Sequence, residues 1–276
     1  MSNATDSLDV LWRKALEGPD ETLDLGVLSA LIAKGEYPDL SVDATLAAFD
    51  ALAEAIDASS DGVEGLCRHL FVDSAFTGNE DSYYDPQNSY ISDVLETKRG
   101  IPITLSLILL EVGRRSGFSL KPVSFPGHFL VRADTNDGPC FIDAFHKGTI
   151  QDEETLKGRL RDLTGKADLP RTVLDAAFAP CQNREVVARM LRNLKQIYIQ
   201  QRDWPRALRI TDQLLHVQPA IGEHYRDRGQ LYAQVGHVAA AEADLSRYLQ
   251  MVTDAREKER VRNLLVSLAS QGRTLN

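Results

Sequence analysis

A histidine and an aspartate lie on two neighbouring segments that are predicted to be strands. The segment HFLVRA alternates polar and apolar residues, which is typical of a strand, and places His128 and Arg132 on one face. A turn follows at 135–139, and CFIDAF then places Phe141 and Asp143 on one face of a second strand. The sequence therefore predicts a hairpin on which His128 and Asp143 face the same side. A carboxylate beside an imidazole fixes the ring's tautomer and supports its protonated form, as acid–base chemistry requires.

The apolar stretch before this hairpin predicts the helix that would position the pair. Residues 102–116 carry apolar side chains almost all round, so we expect a buried helix. Pro102 suits the first helical position, where its missing N–H costs nothing. The free N–H groups and the positive dipole end of such a helix point towards the residues that precede Pro102, although the proline removes one donor.

A polar loop at 77–90, TGNEDSYYDPQNSY, could complete a pocket beside this helix. Turn-forming residues dominate it, and it contains three tyrosines. A tyrosine offers an apolar body with a polar tip, so the candidate pocket residues are Tyr83, Tyr84, Asn88, Pro102 and Thr104. The alternative interpretation is a loop that its aromatic residues merely hold in place.

The residues before this loop predict a helical head without a catalytic pattern. Helices are predicted at 6–17, 20–34, 42–56 and 63–76. Asp20 and Ser41 are the expected N-caps of the second and third helices. After the hairpin, residues 150–180 predict a polar connector with short helices.

Composition and charge argue against several classes of protein. The 276 residues are 43% hydrophobic and 26% charged, as in globular proteins, and no apolar run is long enough to span a membrane. The N-terminal segment lacks the pattern of a secretory signal, so we expect a cytoplasmic protein. A net charge of −9 argues against nucleic acid as the main partner.

The cysteines and histidines do not show metal-binding spacing. Cys67, Cys140 and Cys181 are far apart, and the six histidines form neither H-x-x-x-H nor H-E-x-x-H. We therefore expect reduced thiols, no metal site and no cofactor.

An internal repeat occupies the C-terminal third. Aligning 188–221 with 222–255 gives a period of 34 residues, in which Tyr198 matches Tyr232. This is the period of the tetratricopeptide helix–turn–helix pair, and a further helical segment at 256–271 would cap the stack.

Charge changes sign where the repeats begin. Residues 1–185 carry 17 Lys and Arg against 31 Asp and Glu, whereas residues 186–276 carry 14 against 9. This change coincides with the end of the polar connector, and the sequence predicts two domains, 1–182 and 183–276.

Three arginines fall on the predicted inner face of the repeats. Arg189, Arg192 and Arg226 could together hold a carboxylate or an acidic peptide. The favoured alternative is an arginine face that is solvated or satisfied by the acidic N-terminal half.

Three motifs resemble those of the bacterial SirB-type family, and the resemblance covers roughly residues 10–270. They are GNEDSYYDPQNSYISDVLETKRGIPITLSLILLEVGRRSGF, FPGHFLVR and FIDAF. Members of that family join a transglutaminase-like domain to C-terminal tetratricopeptide repeats. The resemblance implies an α+β N-terminal domain, in which a papain-like or transglutaminase-like helix packs on a small antiparallel sheet beneath a helical head. It also implies an all-α repeat domain.

The resemblance implies a catalytic pattern of cysteine, histidine and aspartate, and this chain matches only part of it. In the wider superfamily, a G-x-C motif starts the helix, and a His strand and an Asp strand follow. Gly100 matches the glycine, His128 the histidine and Asp143 the aspartate, while the cysteine falls on Pro102 or Ile103. Neither side chain can attack an acyl group, so the ordinary mechanism is unavailable. Candidate substitutes are the hydroxyls of Thr104 and Ser106 and the thiol of Cys140. The family's D-P-F is Asp-Ala-Phe here, which changes the backbone after Asp143.

Three functional hypotheses follow. The leading one is a non-catalytic protein that acts in protein–protein interaction or regulation through its repeats. The alternative is a cysteine-independent hydrolase or acyltransferase that uses His128 and Asp143 with Thr104 or a water molecule. A third is a small-molecule pocket around Tyr83 and His128. Neither the partner nor the oligomeric state can be predicted.

Overall fold

The computed structural model of the protein describes residues 7–56, 58–135 and 138–274. Residue 6 of the first predicted helix and residues 136 and 137 of the predicted turn lie outside them. The chain divides into two compact units after Met190. The predicted boundary, at 182–183, lies slightly earlier, and both units are described separately below.

The first unit begins with a helical head. Its helices are α1 (Leu8–Ala15), α2 (Leu25–Glu36), α3 (Val42–Ala53) and α4 (Ala58–Arg68), and a π-helical segment, His69–Asp73, continues α4. The Ser41 hydroxyl accepts a hydrogen bond from the N–H of Ala44, so Ser41 is the N-cap that the sequence predicts.

The predicted cap at Asp20 is wrong, because α2 starts later than its apolar pattern suggests. Asp24 caps α2 by accepting from Val27 at 2.9 Å. Asp20 instead accepts from the backbone N–H groups of Asn183 and Arg184, at 2.6 and 2.9 Å. It therefore caps a helix more than 160 residues later in the chain, α9 (Asn183–Gln201).

The centre of the first unit is a buried helix with a short parallel strand pair beside it. The pair is β1 (Thr77–Gly78) and β2 (Arg99–Gly100), and the helices nearby are α5 (Ile91–Thr97) and α6 (Pro102–Arg115). Every residue of α6 from Pro102 to Gly113 is buried, as the sequence predicts. The helix packs against α3 and against the main sheet.

The main sheet has four antiparallel strands in chain order. They are β3 (Leu120–Val123), β4 (Leu130–Thr135), β5 (Gly138–Asp143) and β6 (Thr149–Gln151). Helices α7 (Glu153–Thr164) and α8 (Arg171–Phe178) cover one face, and Leu156 and Phe178 pack there on Phe125 and Phe141. The connector predicted at 150–180 is therefore part of the core.

The second unit is all helical. After α9, it contains α10 (Trp204–Val217), α11 (Gly222–Gln234), α12 (Val238–Met251) and α13 (Ala255–Thr274). Helix pairs α9/α10 and α11/α12 match the two predicted repeats, and α13 matches the predicted cap. Gly229 of α11 has a packing reason, because a Cβ there would lie 2.8 Å from Leu245. None of the described helices is both long and apolar enough to cross a membrane.

Candidate functional site

His128 lies at a bend just before β4. Gly127 adopts a φ of +69°, which glycine tolerates, and the N–H of His128 donates to the carbonyl of Phe125 at 3.0 Å. The strand that the sequence predicts to begin at His128 begins at Leu130. The cause is this bend, which turns the histidine out of the sheet ladder while leaving its ring buried.

Asp143, the last residue of β5, is fully buried and meets His128. Its Oδ1 lies 2.7 Å from Nε2 of the imidazole. The β4–β5 register, in which Val131 pairs with Ile142, brings the end of β5 beside the start of β4. Burial acts to raise the pKa of Asp143, but hydrogen bonds and charges from His128 and His146 outweigh it and hold that pKa well below its ordinary value.

Three further residues donate to the same carboxylate. His146 donates its backbone N–H to Oδ1 at 3.2 Å and its ring Nδ1–H to Oδ2 at 2.9 Å. Gln151 and Arg159 each approach Oδ2 at 3.3 Å. The sequence places His146 close to Asp143 but past the strand, and it gives no signal for Gln151 or Arg159. The three-residue spacing of His146 from Asp143 was a local signal, whereas Arg159 on α7 reaches the site only through the fold.

The outer nitrogen of His128, Nδ1, faces away from Asp143. Because a carboxylate only accepts, Nε2 carries a proton, and in the neutral imidazole the lone pair is therefore on Nδ1. Within the described part of the chain, no group hydrogen-bonds to Nδ1. The ring's aromatic neighbours are Phe145, edge-on at 6.3 Å between centroids, and His146 at 5.7 Å. The geometry is that of a general base with its orienting carboxylate.

The start of α6 carries no exposed nucleophile. Pro102 and Ile103, at the position that the resemblance gives to the cysteine, are buried. The hydroxyl of Thr104 accepts from the N–H of Ile101 at 3.1 Å and donates to the carbonyl of Asn88 at 2.7 Å. Thr104 is thus committed to capping the helix. The hydroxyl of Ser106 is buried, and no described residue hydrogen-bonds to it.

Burial disfavours the thiolate form of all three cysteines. Burial raises the pKa of Cys67 to about 12 and that of Cys181 to about 11, and it also raises the pKa of Cys140. All three cysteines are free thiols, which these shifts keep protonated at neutral pH.

Of the candidate pocket residues, Tyr83 contacts Phe145, which is itself a neighbour of the His128 ring. The Tyr83 ring contacts Phe145 at 5.9 Å between centroids and Tyr84 at 5.2 Å, and burial raises the pKa of Tyr83. Tyr84 is largely exposed. Asn88 is buried, and its side chain holds the loop together by donating to the carbonyl of Ser82 at 2.7 Å.

Arg189 holds the segment that carries His128. Its guanidinium donates to Ser124 Oγ at 2.7 Å, to the carbonyl of Phe125 at 3.2 Å and to the carbonyl of His128 at 2.7 Å. It also lies over the ring of Phe129. The sequence does not predict these hydrogen bonds, because the repeat pattern places Arg189 on the inner face of a repeat helix.

The other two candidate peptide-binding arginines also have partners. Arg192 donates to Gln218 at 3.3 Å, and Arg226 contacts Asp227 at 2.8 Å and Glu257 at 3.5 Å. A peptide would have to compete with these partners. Peptide binding by Arg189, Arg192 and Arg226 stays a prediction.

Sequence comparison with known protein families agrees with this architecture. Residues 40–192 match the family model of the transglutaminase-like superfamily, and residues 194–266 match that of the tetratricopeptide repeat. A UPF0162 protein of Xylella fastidiosa (strain 9a5c) is 39% identical over 272 residues, which cover 95% of each chain. The protein SirB1 of Salmonella typhimurium (strain LT2) is 28% identical over 75% of this chain and 76% of its own. A crystal structure of menin is 11% identical, with a TM-score of 0.42 over 92% of this chain and 72% of that chain.

A buried helix, a His–Asp pair and a four-stranded sheet define a transglutaminase-like protein. The chain belongs to the transglutaminase-like superfamily, within the SirB-type family that joins this domain to tetratricopeptide repeats. Because such repeats generally mediate protein–protein contacts, this pair of domains supports a protein-interaction or regulatory role.

Proposed function

We propose that this protein is a non-catalytic member of its family that acts by binding a protein partner. The observation that carries the proposal is the start of α6, where Pro102 and Ile103 replace the expected cysteine. Covalent acyl transfer needs a nucleophile within hydrogen-bond reach of its base. Among the described residues, no hydroxyl or thiol is hydrogen-bonded to His128.

Thr104 and Cys140 each meet a physical obstacle as substitute nucleophiles. To act as a nucleophile, Thr104 would have to give its hydroxyl proton to the imidazole. The buried carbonyl of Asn88 would then lose its hydrogen bond from that hydroxyl. Ionising Cys140 would oppose the burial that raises its pKa. The His128–Asp143 pair then serves structure by tying the bend before β4 to the end of β5.

The second unit offers a surface for the partner. A cavity of about 780 Å³ lies along α9 and α11. Three exposed carboxamides line it, those of Gln196, Gln230 and Gln234, and the described residues provide no hydrogen-bond partner for any of them. A carboxamide both donates and accepts, so it can bind the backbone of an extended peptide.

Charge favours an acidic peptide as the occupant, because Lys195 and Asp227, which also line the cavity, form an ion pair with each other and leave the charge of Arg202. The guanidinium of Arg202, on the rim of the same cavity, has no ion-pair partner within the described part of the chain. Trp204 beside it adds an aromatic surface. We assign this cavity to an extended peptide that carries an acidic side chain opposite Arg202.

Two experiments test the two halves of the proposal. The full chain is screened against an array of short random-sequence peptides, and Arg202→Ala and Gln230→Ala are expected to weaken the selected acidic peptides about tenfold or more. Arg247→Ala, an exposed arginine on α12, is the matched control. Equal binding by all four proteins would overturn the peptide site.

The non-catalytic half is tested with acyl substrates. Esters and glutamine-containing peptides are offered to wild type and to His128→Ala, and no difference in turnover is expected. Hydrolysis or transamidation that His128→Ala abolishes would overturn the proposal.

The free Nδ1 of His128 favours a second candidate, a hydrolase that activates water. Nδ1 would take a proton from water as the oxygen attacks a carbonyl carbon, and Asp143 would support the imidazolium. Such an enzyme would lose activity in His128→Ala and retain it in Thr104→Val.

A further inference from the structure

Two imidazoles and one carboxylate converge at the end of β5. The ligand atoms of His128, Asp143 and His146 all lie within 4.8 Å of one another. Each imidazole faces a different oxygen of the same carboxylate, at 2.7 Å for His128 and 2.9 Å for His146. The fold alone produces this group, because its spacing along the chain matches no metal-binding motif.

We propose that His128, Asp143 and His146 bind a divalent transition-metal ion of the Zn²⁺, Co²⁺ or Ni²⁺ type. Two nitrogen ligands and one carboxylate oxygen form a donor set that suits such ions and leaves a coordination position for water. Calcium and magnesium prefer oxygen ligands and are expected to bind poorly. The proposal goes beyond partner binding and does not depend on it.

The positions of the ring protons allow His128 and His146 to exchange their hydrogen bonds to Asp143 for bonds to a metal ion. Each ring now carries its proton on the nitrogen that faces Asp143, and a metal ion needs a lone pair there. Moving the proton to the other ring nitrogen keeps each imidazole neutral. That outer nitrogen has no described hydrogen-bond partner in either residue, so the exchanged tautomer breaks no other contact.

The surroundings of the carboxylate also fit a metal ligand. Gln151 and Arg159 donate to Oδ2 at 3.3 Å each and fix the orientation of the group. Hydrogen bonds that orient a metal-ligating carboxylate typically strengthen metal binding. The Arg159 side chain is 34% exposed, so water screens the repulsion between its charge and the ion.

An entry path exists on the His146 side. The His146 side chain is 50% exposed, whereas that of His128 is 9% exposed and that of Asp143 is buried. An ion can therefore reach His146 from solvent before it contacts the buried pair.

The first experiment is a titration of the untagged full chain with Zn²⁺ by calorimetry, and with Co²⁺ by visible absorption. One equivalent is expected to bind. His146→Ala and His128→Ala are expected to weaken binding about tenfold or more, as loss of even a supporting contact does. His237→Ala is the matched control, because His237 is exposed and lies in the second unit. Circular dichroism confirms that each variant is folded.

Two outcomes overturn the metal site: no saturable binding of Zn²⁺, Co²⁺ or Ni²⁺, or equal binding by wild type, His128→Ala and His146→Ala. The acyl-substrate assay, repeated with added Zn²⁺, separates this proposal from the preceding one. Zinc binding without turnover agrees with both. Zinc-dependent hydrolysis that His146→Ala abolishes would support the metal site and overturn the non-catalytic function.

Discussion

The hydroxyl of Thr104 donates to the backbone carbonyl of Asn88 at 2.7 Å, and both residues are buried. This contact joins the first turn of α6 to the tyrosine-containing loop. The residue that the sequence offered as a nucleophile therefore occupies a structural position.

Replacing Thr104 by valine keeps the shape of the side chain and removes its hydroxyl. The Ile101 N–H and the Asn88 carbonyl would then be buried without this partner, so we expect the free energy of unfolding to fall by about 2 kcal/mol. Urea denaturation measures the change. Thr104→Ser keeps the hydroxyl and should lose less, and a Thr104→Val protein as stable as wild type would contradict the capping role.

Asp143→Asn removes a buried charge that His128, His146 and Arg159 share. We expect the free energy of unfolding at neutral pH to fall by about 3 kcal/mol, as when one partner leaves a buried charged network. The matched control is Asp134→Asn, whose exposed carboxylate contacts Lys121 and Arg132 and should matter little.

The same carboxylate predicts sensitivity to acid. Its pKa is lower in the folded protein than the value of about 3.9 in an unfolded chain, so its stabilisation is complete above that value. The contribution is lost as pH falls from about 4 towards the folded pKa. Denaturation at a series of acidic pH values should show a smaller loss in Asp143→Asn than in wild type.

Arg189→Leu tests what holds the His128 segment in place. Losing three hydrogen bonds to residues 124–128 should speed hydrogen exchange of the His128 amide, which donates to Phe125. Hydrogen exchange with mass spectrometry reads this segment directly. Arg192→Leu is the control, and faster exchange in both variants to the same extent would show that Arg189 has no special role.

His224 predicts a pH effect in the second unit. Burial lowers its pKa from 6.5 to about 4, so the folded protein disfavours the charged ring. Stability should be constant above about pH 6.5 and fall by about 3 kcal/mol as pH drops from there to about 4. In a Trp12→Phe background, Trp204 fluorescence reports on this unit. His224→Gln should flatten the dependence, whereas His237→Gln should preserve it.

Two glycines form a matched pair. A Cβ on Gly78 would lie 2.7 Å from the ring of Phe145, which neighbours His128, whereas a Cβ on Gly158 would meet nothing within 4 Å. Gly78→Ala should destabilise the protein by about 1–3 kcal/mol through overpacking. Gly158→Ala, within α7, should stabilise it by up to about 1 kcal/mol. Thermal unfolding followed by circular dichroism distinguishes the two directions.

Local patterns were sufficient to predict the buried helix α6, the two repeats and the meeting of His128 with Asp143. Alternation and turn residues determine a hairpin, and a hairpin determines which side chains face each other. The same patterns could not predict the contacts of Arg159 with Asp143 or of Arg189 with the carbonyl of His128. Each contact joins residues on different elements of the fold. A backbone carbonyl is present in every residue, so the sequence does not indicate which carbonyl accepts a hydrogen bond.

The cap that Asp20 provides to α9 has a consequence for how the protein is made. The ribosome synthesises Asp20 well before Asn183, which lies 163 positions later. The carboxylate can therefore accept hydrogen bonds from the start of α9 only after that helix has been synthesised. Closing so long a loop is entropically costly and slow until intervening segments have folded. The first unit therefore completes its folding late in translation, and a chain truncated before residue 183 would leave Asp20 without the helix that it caps.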